Sequence, residues 1–406
     1  MHITLKHPIP PNEGERLWAL SEFDIDYTEV SQVFKDLVLL AAKITKTEVS
    51  LVNLIDSYTQ WSVSNHGLPI EQIDRTESVC QYTIATGDYF EVKALSKDDR
   101  FKENTYVVGE PKLDYYFGVP LTTDEGYNLG ALCVMDKTAK NLSPENIELL
   151  KIIGKEVVSR LVTLKVIQDL KTQALVKEEL RKKVAHDIRG PLGGIISLTQ
   201  IVSKQGESNK LSDVLEFISM IQKAGTSLLD LATEILNSED KQVTKSREIT
   251  LNDFNLDTFK QKLERLYAPQ AKNKNLLYTV TITPESVDFP FPKNKLLQIT
   301  GNLITNAIKF TPVNGSVGVT LSLLSKETQQ ILIIKVADTG MGLDAESIQN
   351  ILSGKKKSSD GTDGEIGFGF GLALVKRLVD DIQGTMDIKS EINGGTTFAI
   401  ILKWDN

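Results

Sequence analysis

Between residues 49 and 136 short apolar runs alternate with turn signals: VSLVNLI, DSYTQ and WSVSNHG come first, then YYFGVPL, TTDEG and YNLGALCVMD. In the second set apolar residues nearly alternate on either side of Asp-Glu-Gly, the pattern of a β-hairpin. Helical patterns flank these strands at 30–44 and 144–164. The first third therefore reads as an α+β domain around an antiparallel sheet. From 157 to 189 neither Pro nor Gly occurs. There Leu161, Leu164, Ile167, Leu170, Leu180 and Val184 predict a long helix with an imperfect coiled-coil stripe. That is too much apolar surface for a helix touching nothing.

The periodicity then sharpens. Val184, Ile188, Leu192, Ile195, Thr199 and Val202 fall on one helix face. After the polar break KQGESNK, the residues Leu211, Val214, Ile218, Ile221, Gly225, Leu228 and Ile235 form a second stripe. Two such helices cannot enclose a core, so the pattern predicts pairing with a second copy into a four-helix bundle, and hence a homodimer. His186 stands two residues from both Val184 and Ile188, about 200° of rotation from each, which points it away from that core. Beside it are Asp187 and then Gly190-Pro191, two residues that cost a helix interior about 1 and 3 kcal/mol. An outward imidazole is a nucleophile, and an adjacent carboxylate can take or orient the proton on its other ring nitrogen. His186 and Asp187 thus make an acceptor and base for a transferred group. His2, His7 and His66 have no such setting.

The last third supplies a donor. It contains QITGNLITNAIKFTP, ADTGMGL, GEIGFGFGLALVKRLV and NGGTTF in that order. Asn302, Asn306 and Lys309 share a helix face, while Leu303, Ile304, Ala307 and Ile308 turn inward. Carboxamide oxygens suit a hard cation such as Mg²⁺, and a lysine balances phosphate charge. Asp338 follows the strand-like run ILIIKVA, and Gly340 and Gly342 come after it, where glycines permit close backbone approach to a flat ligand. Gly367, Gly369 and Gly371 precede a helix whose first N–H groups could meet phosphate. Thr397 belongs to the last motif.

Composition changes little. The 406 residues allow two to four domains, and 41% hydrophobic with 25% charged residues is ordinary for a globular protein. A net charge of −8 argues against nucleic acid as partner. Cys80 and Cys133 sit in apolar runs, in no metal-ligand or redox spacing. No stretch has a membrane span's length, and the polar start MHITLKHPIPPNEGER has no apolar signal region. The expectation is a cytoplasmic protein without membrane contact.

Two resemblances follow from these segments. ERLWALSEFDI, SLVNLID, DDRFKENTYVVGEP and GVPLTTDEGYNLGALCVMD resemble a GAF domain over residues 15–159, which implies a sensor fold but names no ligand. The four C-terminal motifs resemble the nucleotide boxes of the histidine-kinase ATPase domain, and HDIRGPL resembles the phosphoacceptor box of the same family. This likeness implies that Asn306 coordinates Mg²⁺, that Lys309 contacts phosphate and that Asp338 accepts the adenine amino group. Gly340, Gly342, Gly367, Gly369 and Gly371 would shape the pocket, with Asn302 and Thr397 beside it. LSGKKKSSDGTDGE would form a mobile lid, while Phe368 and Phe370 replace smaller residues common in the family. Gly190 stands where relatives with phosphatase activity carry Thr or Asn, so a kinase with little phosphatase activity is expected.

The expected architecture is multidomain α+β: a GAF sensor at 1–158, a coiled-coil signalling helix at 159–178, a dimerisation and phosphotransfer hairpin at 179–240, and an α/β-sandwich ATPase of the Bergerat type at 245–406. The expected activity is autophosphorylation of His186 from Mg-ATP, with transfer to the receiver domain of a separate response regulator. Rival readings are a nucleotide-binding scaffold without phosphotransfer and a conformational ATPase of the related gyrase group.

Overall fold

A computed structural model of the chain describes residues 8–27, 30–206, 210–238, 254–287, 291, 295–326, 329–353 and 370–405. The chain divides into two compact units, 1–167 with 252–403 and 168–251 with 404–406.

The first unit begins with α1 (Glu13–Ser21) and α2 (Lys35–Thr45). Next come β1 (Val49–Ile55), β2 (Thr59–His66) and β3 (Gln72–Asp74), α3 (Cys80–Ile84), β4 (Phe90–Val92) and α4 (Thr105–Val108), and the pair β5 (Tyr115–Thr122) and β6 (Asn128–Asp136). The six strands form one sheet in the order β3-β2-β1-β6-β5-β4, with every neighbouring pair antiparallel. Because β1 is buried along its whole length, it lies covered on both faces, which is why its sequence runs nearly unbroken in apolar residues. The expected β5–β6 hairpin forms, closed at Asp-Glu-Gly by Gly126 at φ +88°. Three ionic side chains are wholly buried in this half: Glu13 accepts from Arg16 Nε at 2.8 Å and from Arg75 Nη1 at 2.5 Å.

The other half of this unit starts with α7 (Leu256–Asn273), β7 (Leu277–Ile282) and α8 (Leu296–Phe310). It continues through β8 (Ser316–Lys326), β9 (Gln329–Asp338), α9 (Ala345–Leu352), α10 (Gly371–Asp381), β10 (Thr385–Glu391) and β11 (Gly395–Asp405). These strands order as β10-β11-β9-β8-β7, with β7 and β8 parallel. Val317, Val319, Leu321 and Leu323 of β8, with Leu332, Ile334 and Val336 of β9, are buried, and the period of two puts them on one sheet face. Helices α7, α8 and α10 pack with this sheet, a two-layer α/β fold.

The two long helices are α5 (Pro144–Gln205) and α6 (Leu211–Ser238). Leu150, Ile153, Val157, Val158 and Leu161 of α5 are core residues of the first unit. Helix α5 continues unbroken through Gly190 and Pro191, although Pro191 has no N–H for the carbonyl one turn back. The single predicted stripe separates into two rows. Val184, Ile195 and Val202 are half-buried, whereas Ile188 and Leu192 are exposed together with Ile196 and Ile201. Helix α6 repeats the division: Val214, Ile221 and Leu228 are half-buried, while Leu211, Leu215 and Ile218 are exposed. Among the described residues no helix is long and apolar enough to cross a membrane.

Candidate nucleotide site

Helix α8 carries the first of the C-terminal motifs, and its environment differs from a solvated polar face. Leu303, Ile304, Ala307 and Ile308 are buried as the period requires, but so are Asn302, Asn306 and Lys309. At Gly301 a side chain would run into the Tyr267 hydroxyl of α7, so this glycine is what lets α7 and α8 approach. Asn302 turns its amide back onto the Gln298 carbonyl of its own helix at 2.9 Å. Asn306 has no such outlet: it is 3% exposed, and neither carboxamide atom closes a hydrogen bond of ordinary geometry. Leaving a buried polar group unpaired costs about 1–3 kcal/mol, so these atoms mark a place where the fold reserves contacts for something else.

What lies over this face is Tyr58, from the turn between β1 and β2. The Lys309 ammonium is 5.1 Å from the Tyr58 ring centroid and 5.8 Å from that of Phe310. Burial pushes the Tyr58 hydroxyl well up in pKa, with Asn306 near enough to act in the opposite sense.

Asp338 closes β9. Its Oδ1 accepts from the Gly340 N–H at 2.8 Å and the Thr396 N–H at 3.2 Å. Burial raises its carboxyl and these two N–H groups draw it back, leaving it above the usual aspartate value. Both donors take Oδ1, so Oδ2 is the oxygen left to face a ligand. Gly342 sits at φ +71°, and a Cβ there would strike the Glu391 carbonyl. A Cβ on Gly340 would meet the Phe310 carbonyl. The close approaches these two glycines permit are therefore to the protein's own backbone, where the sequence suggested approach to a ligand. Successive strand residues face opposite sides. Thr396 reaches Asp338 through its backbone N–H, while its side chain is bonded to Ser390 at 2.9 Å and Thr397 points to the alternate side.

Gly371 opens α10, where free N–H groups and the helix dipole favour an anion. Gly367, Gly369, Phe368 and the stretch expected to be a lid, apart from its first residues, lie outside the described residues. Phe370 precedes α10, and its carbonyl accepts from the Leu374 N–H at 2.9 Å. His186 lies on α5, its side chain outside the described ones, and Asp187 beside it is exposed. The structure thus brings Asn306 and Lys309 together on α8, and Gly340, Gly342 and Asp338 around the end of β9. Sequence reasoning missed Thr396 and Tyr58. The first meets Asp338 through a backbone N–H, which no side-chain pattern reveals, and the second carried no local signal.

Residues 292–406 match the family described as histidine kinase-, DNA gyrase B-, and HSP90-like ATPases. This part of the chain is thus similar to ATPases of that family. Over part of its length the chain is also similar to proteins named as sensor histidine kinases. It is 28% identical over 276 residues to the autoinducer 2 sensor kinase/phosphatase LuxQ of Vibrio vulnificus, covering 67% of this chain and 31% of that protein. It is 30% identical over 229 residues to the circadian input-output histidine kinase CikA of Thermosynechococcus vestitus, covering 55% and 31%. A third relative, the cyclic di-GMP phosphodiesterase PA2567 of Pseudomonas aeruginosa, is 33% identical over 159 residues, covering 39% and 27%. The chain spans less than a third of the length of each of these three relatives. Among solved structures, full-length ShkA in complex with AMPPNP aligns over 55% of this chain and 45% of that one, at 23% identity and a TM-score of 0.32.

Proposed function

We propose that this chain is a GAF-controlled histidine kinase of the cytoplasm that autophosphorylates on His186 from Mg-ATP and passes the phosphoryl group to an aspartate on a response regulator. The observation that carries the reading is Asn306, a buried carboxamide that closes no hydrogen bond of ordinary geometry, one turn from Lys309 in a segment similar to an ATPase family. In this reading residues 1–158 sense, 159–178 transmit, 179–240 dimerise and present His186, and 245–406 bind nucleotide. The exposed apolar rows of α5 and α6 support the four-helix bundle. A kinase and a phosphodiesterase among the relatives suit a sensor module joined to different outputs.

The donor set fits Mg²⁺: an unpartnered carboxamide oxygen at Asn306, with phosphate oxygens completing the shell of a cation that prefers oxygen. When bound, the ion neutralises charge on the phosphates during transfer. Lys309 contacts a phosphate, Asp338 Oδ2 accepts from the adenine amino group, and the first N–H groups of α10 face the phosphates. A neutral imidazole nitrogen of His186 attacks the γ-phosphorus. The N–P bond forms, the bridging P–O bond breaks, and ADP leaves with the electron pair. The proton on the second ring nitrogen passes to Asp187, a transfer worth roughly 10²–10⁴-fold.

The test is incubation with γ-labelled ATP and Mg²⁺, wild type beside His186→Gln. Acid-labile, alkali-stable label that disappears in the variant is expected. Label retained by His186→Gln overturns the assignment of the acceptor, and continuous phosphate release without phosphoprotein favours the conformational ATPase.

A further inference from the structure

The turn between β1 and β2 is Asp56-Ser57-Tyr58, and it is held in place from behind. The Ser57 N–H donates to Asp56 Oδ1 at 2.7 Å, the Asp56 N–H to the Thr59 carbonyl at 2.9 Å, and the Arg75 N–H to the Tyr58 carbonyl at 2.8 Å. Arg75 Nη1 adds a bond to the Asp56 carbonyl at 3.1 Å while paired with buried Glu13. A turn fixed by a buried ion cluster presents its outward residue in one position.

That residue stands where a nucleotide has to be. The Tyr58 ring covers the Lys309 ammonium, its hydroxyl lies against Asn306, and a Cβ on Gly371 would come within 2.6 Å of a ring carbon. Three of the residues assigned to metal, phosphate and helix N-terminus are thus in contact with one side chain from the N-terminal half. The surrounding surface is fitted as well. Gln72 donates to the Leu266 carbonyl at 2.6 Å and accepts from Gln270 at 2.7 Å. Tyr27 stacks on Trp61 at 4.8 Å, and Trp61 meets Tyr267 edge-on at 6.0 Å. Lys262 pairs with Asp26 at 2.5 Å and Lys295 with Glu22 at 2.8 Å.

We propose that Tyr58 is a built-in plug of the nucleotide site: docking of the N-terminal sheet domain on the ATPase domain seats it over Asn306, Lys309 and Gly371, and nucleotide binds only when the two halves part. The inference rests on the nucleotide-site reading above and adds to it how the sensor half restrains the catalytic half. An apparent dissociation constant is the intrinsic one divided by the competent fraction, so a site open about one-tenth of the time binds about tenfold more weakly.

The experiment titrates the full chain with AMPPNP and Mg²⁺ by calorimetry, which reads binding without phosphoryl transfer. Tyr58→Ala should bind about tenfold more tightly than wild type. Asp26→Lys, which sets two cations against each other at the edge of the docked surface, should also tighten binding, and adding Lys262→Glu to it should restore the wild-type value. Weaker or unchanged binding by Tyr58→Ala overturns the plug, as does an unmoved constant in Asp26→Lys. Absence of binding in every variant overturns the nucleotide site and the plug with it, whereas equal, tight binding in all of them overturns the plug alone.

Discussion

Helix α8 and the pair α5–α6 depart from the ordinary inside-outside rule in opposite directions. Helix α8 buries polar residues: Asn302, Asn306 and Lys309 are enclosed with the aliphatic ones. Helices α5 and α6 expose apolar residues, among them Leu192 at 46%, Ile218 at 53% and Leu211 at 75%. Scattered exposed leucines need no explanation, but rows at helical spacing do. A buried carboxamide that closes no hydrogen bond of ordinary geometry and an exposed apolar row each leave contacts to be made. In the proposed function a cation and phosphates meet the first, and the apolar face of a second copy meets the second.

The sharpest way to break this contrast is at Asn306. If its carboxamide serves a ligand and not the fold, Asn306→Ala removes the orphaned atoms and changes stability by no more than about 1 kcal/mol. Its ATP-dependent labelling should fall by about 100-fold or more, the scale of losing one electrostatic contact to a transferring group. Chelating Mg²⁺ should abolish labelling of wild type. Thermal unfolding and a labelling time course check both halves of the expectation, and a variant that loses stability along with activity would make Asn306 a structural residue.

The apolar rows offer the complementary test. Leu192→Glu with Ile218→Glu leaves two exposed side chains exposed in the single chain, so its fold has little to lose. In a bundle the same change buries uncompensated carboxylates at about 3 kcal/mol or more, raising a dimer dissociation constant by at least about a hundredfold. Sedimentation equilibrium of wild type and double variant measures the shift. If both sediment as the same species, the rows are not a self-association face.

How far the sequence carried the reading depended on whether the signal was local. Strand β1 and the strands of the β5–β6 hairpin are each fewer than ten residues long, and the middle of α5, residues 157–189, is a stretch without Pro or Gly. Beyond that stretch the helix runs on through Gly190, Pro191, Gly193 and Gly194, since their cost is outweighed by the many helical bonds on either side. The N-terminal strands were legible as an α+β sheet, yet nothing in DSYTQ foretold that its tyrosine meets Lys309, 251 positions further on. Such a pairing is set by how two finished surfaces match, and no periodicity encodes it. The same holds for Gly342, whose positive φ and contact with Glu391 come from a crossing of distant backbone segments.

Glu13 sharpens the comparison from its other side, because it is a buried polar group with every contact supplied. Burial raises its carboxyl, but the charges of Arg16 and Arg75 and their hydrogen bonds more than offset this and hold it down, from 4.5 to about 2. A folded-state value below the unfolded one means stability that is fully present above about 4.5 and is lost as pH falls toward about 2. One proton is linked, so the slope is at most about 1.4 kcal/mol per pH unit within that window and zero at neutral pH. Urea unfolding of wild type and Glu13→Gln followed by tryptophan fluorescence separates this group from the other carboxylates. Wild type should lose stability more steeply than the variant between pH 4.5 and 3.5. Parallel curves would mean that Glu13 takes up its proton together with the unfolded chain, and that the cluster bracing the Asp56–Tyr58 turn is not held by its charge.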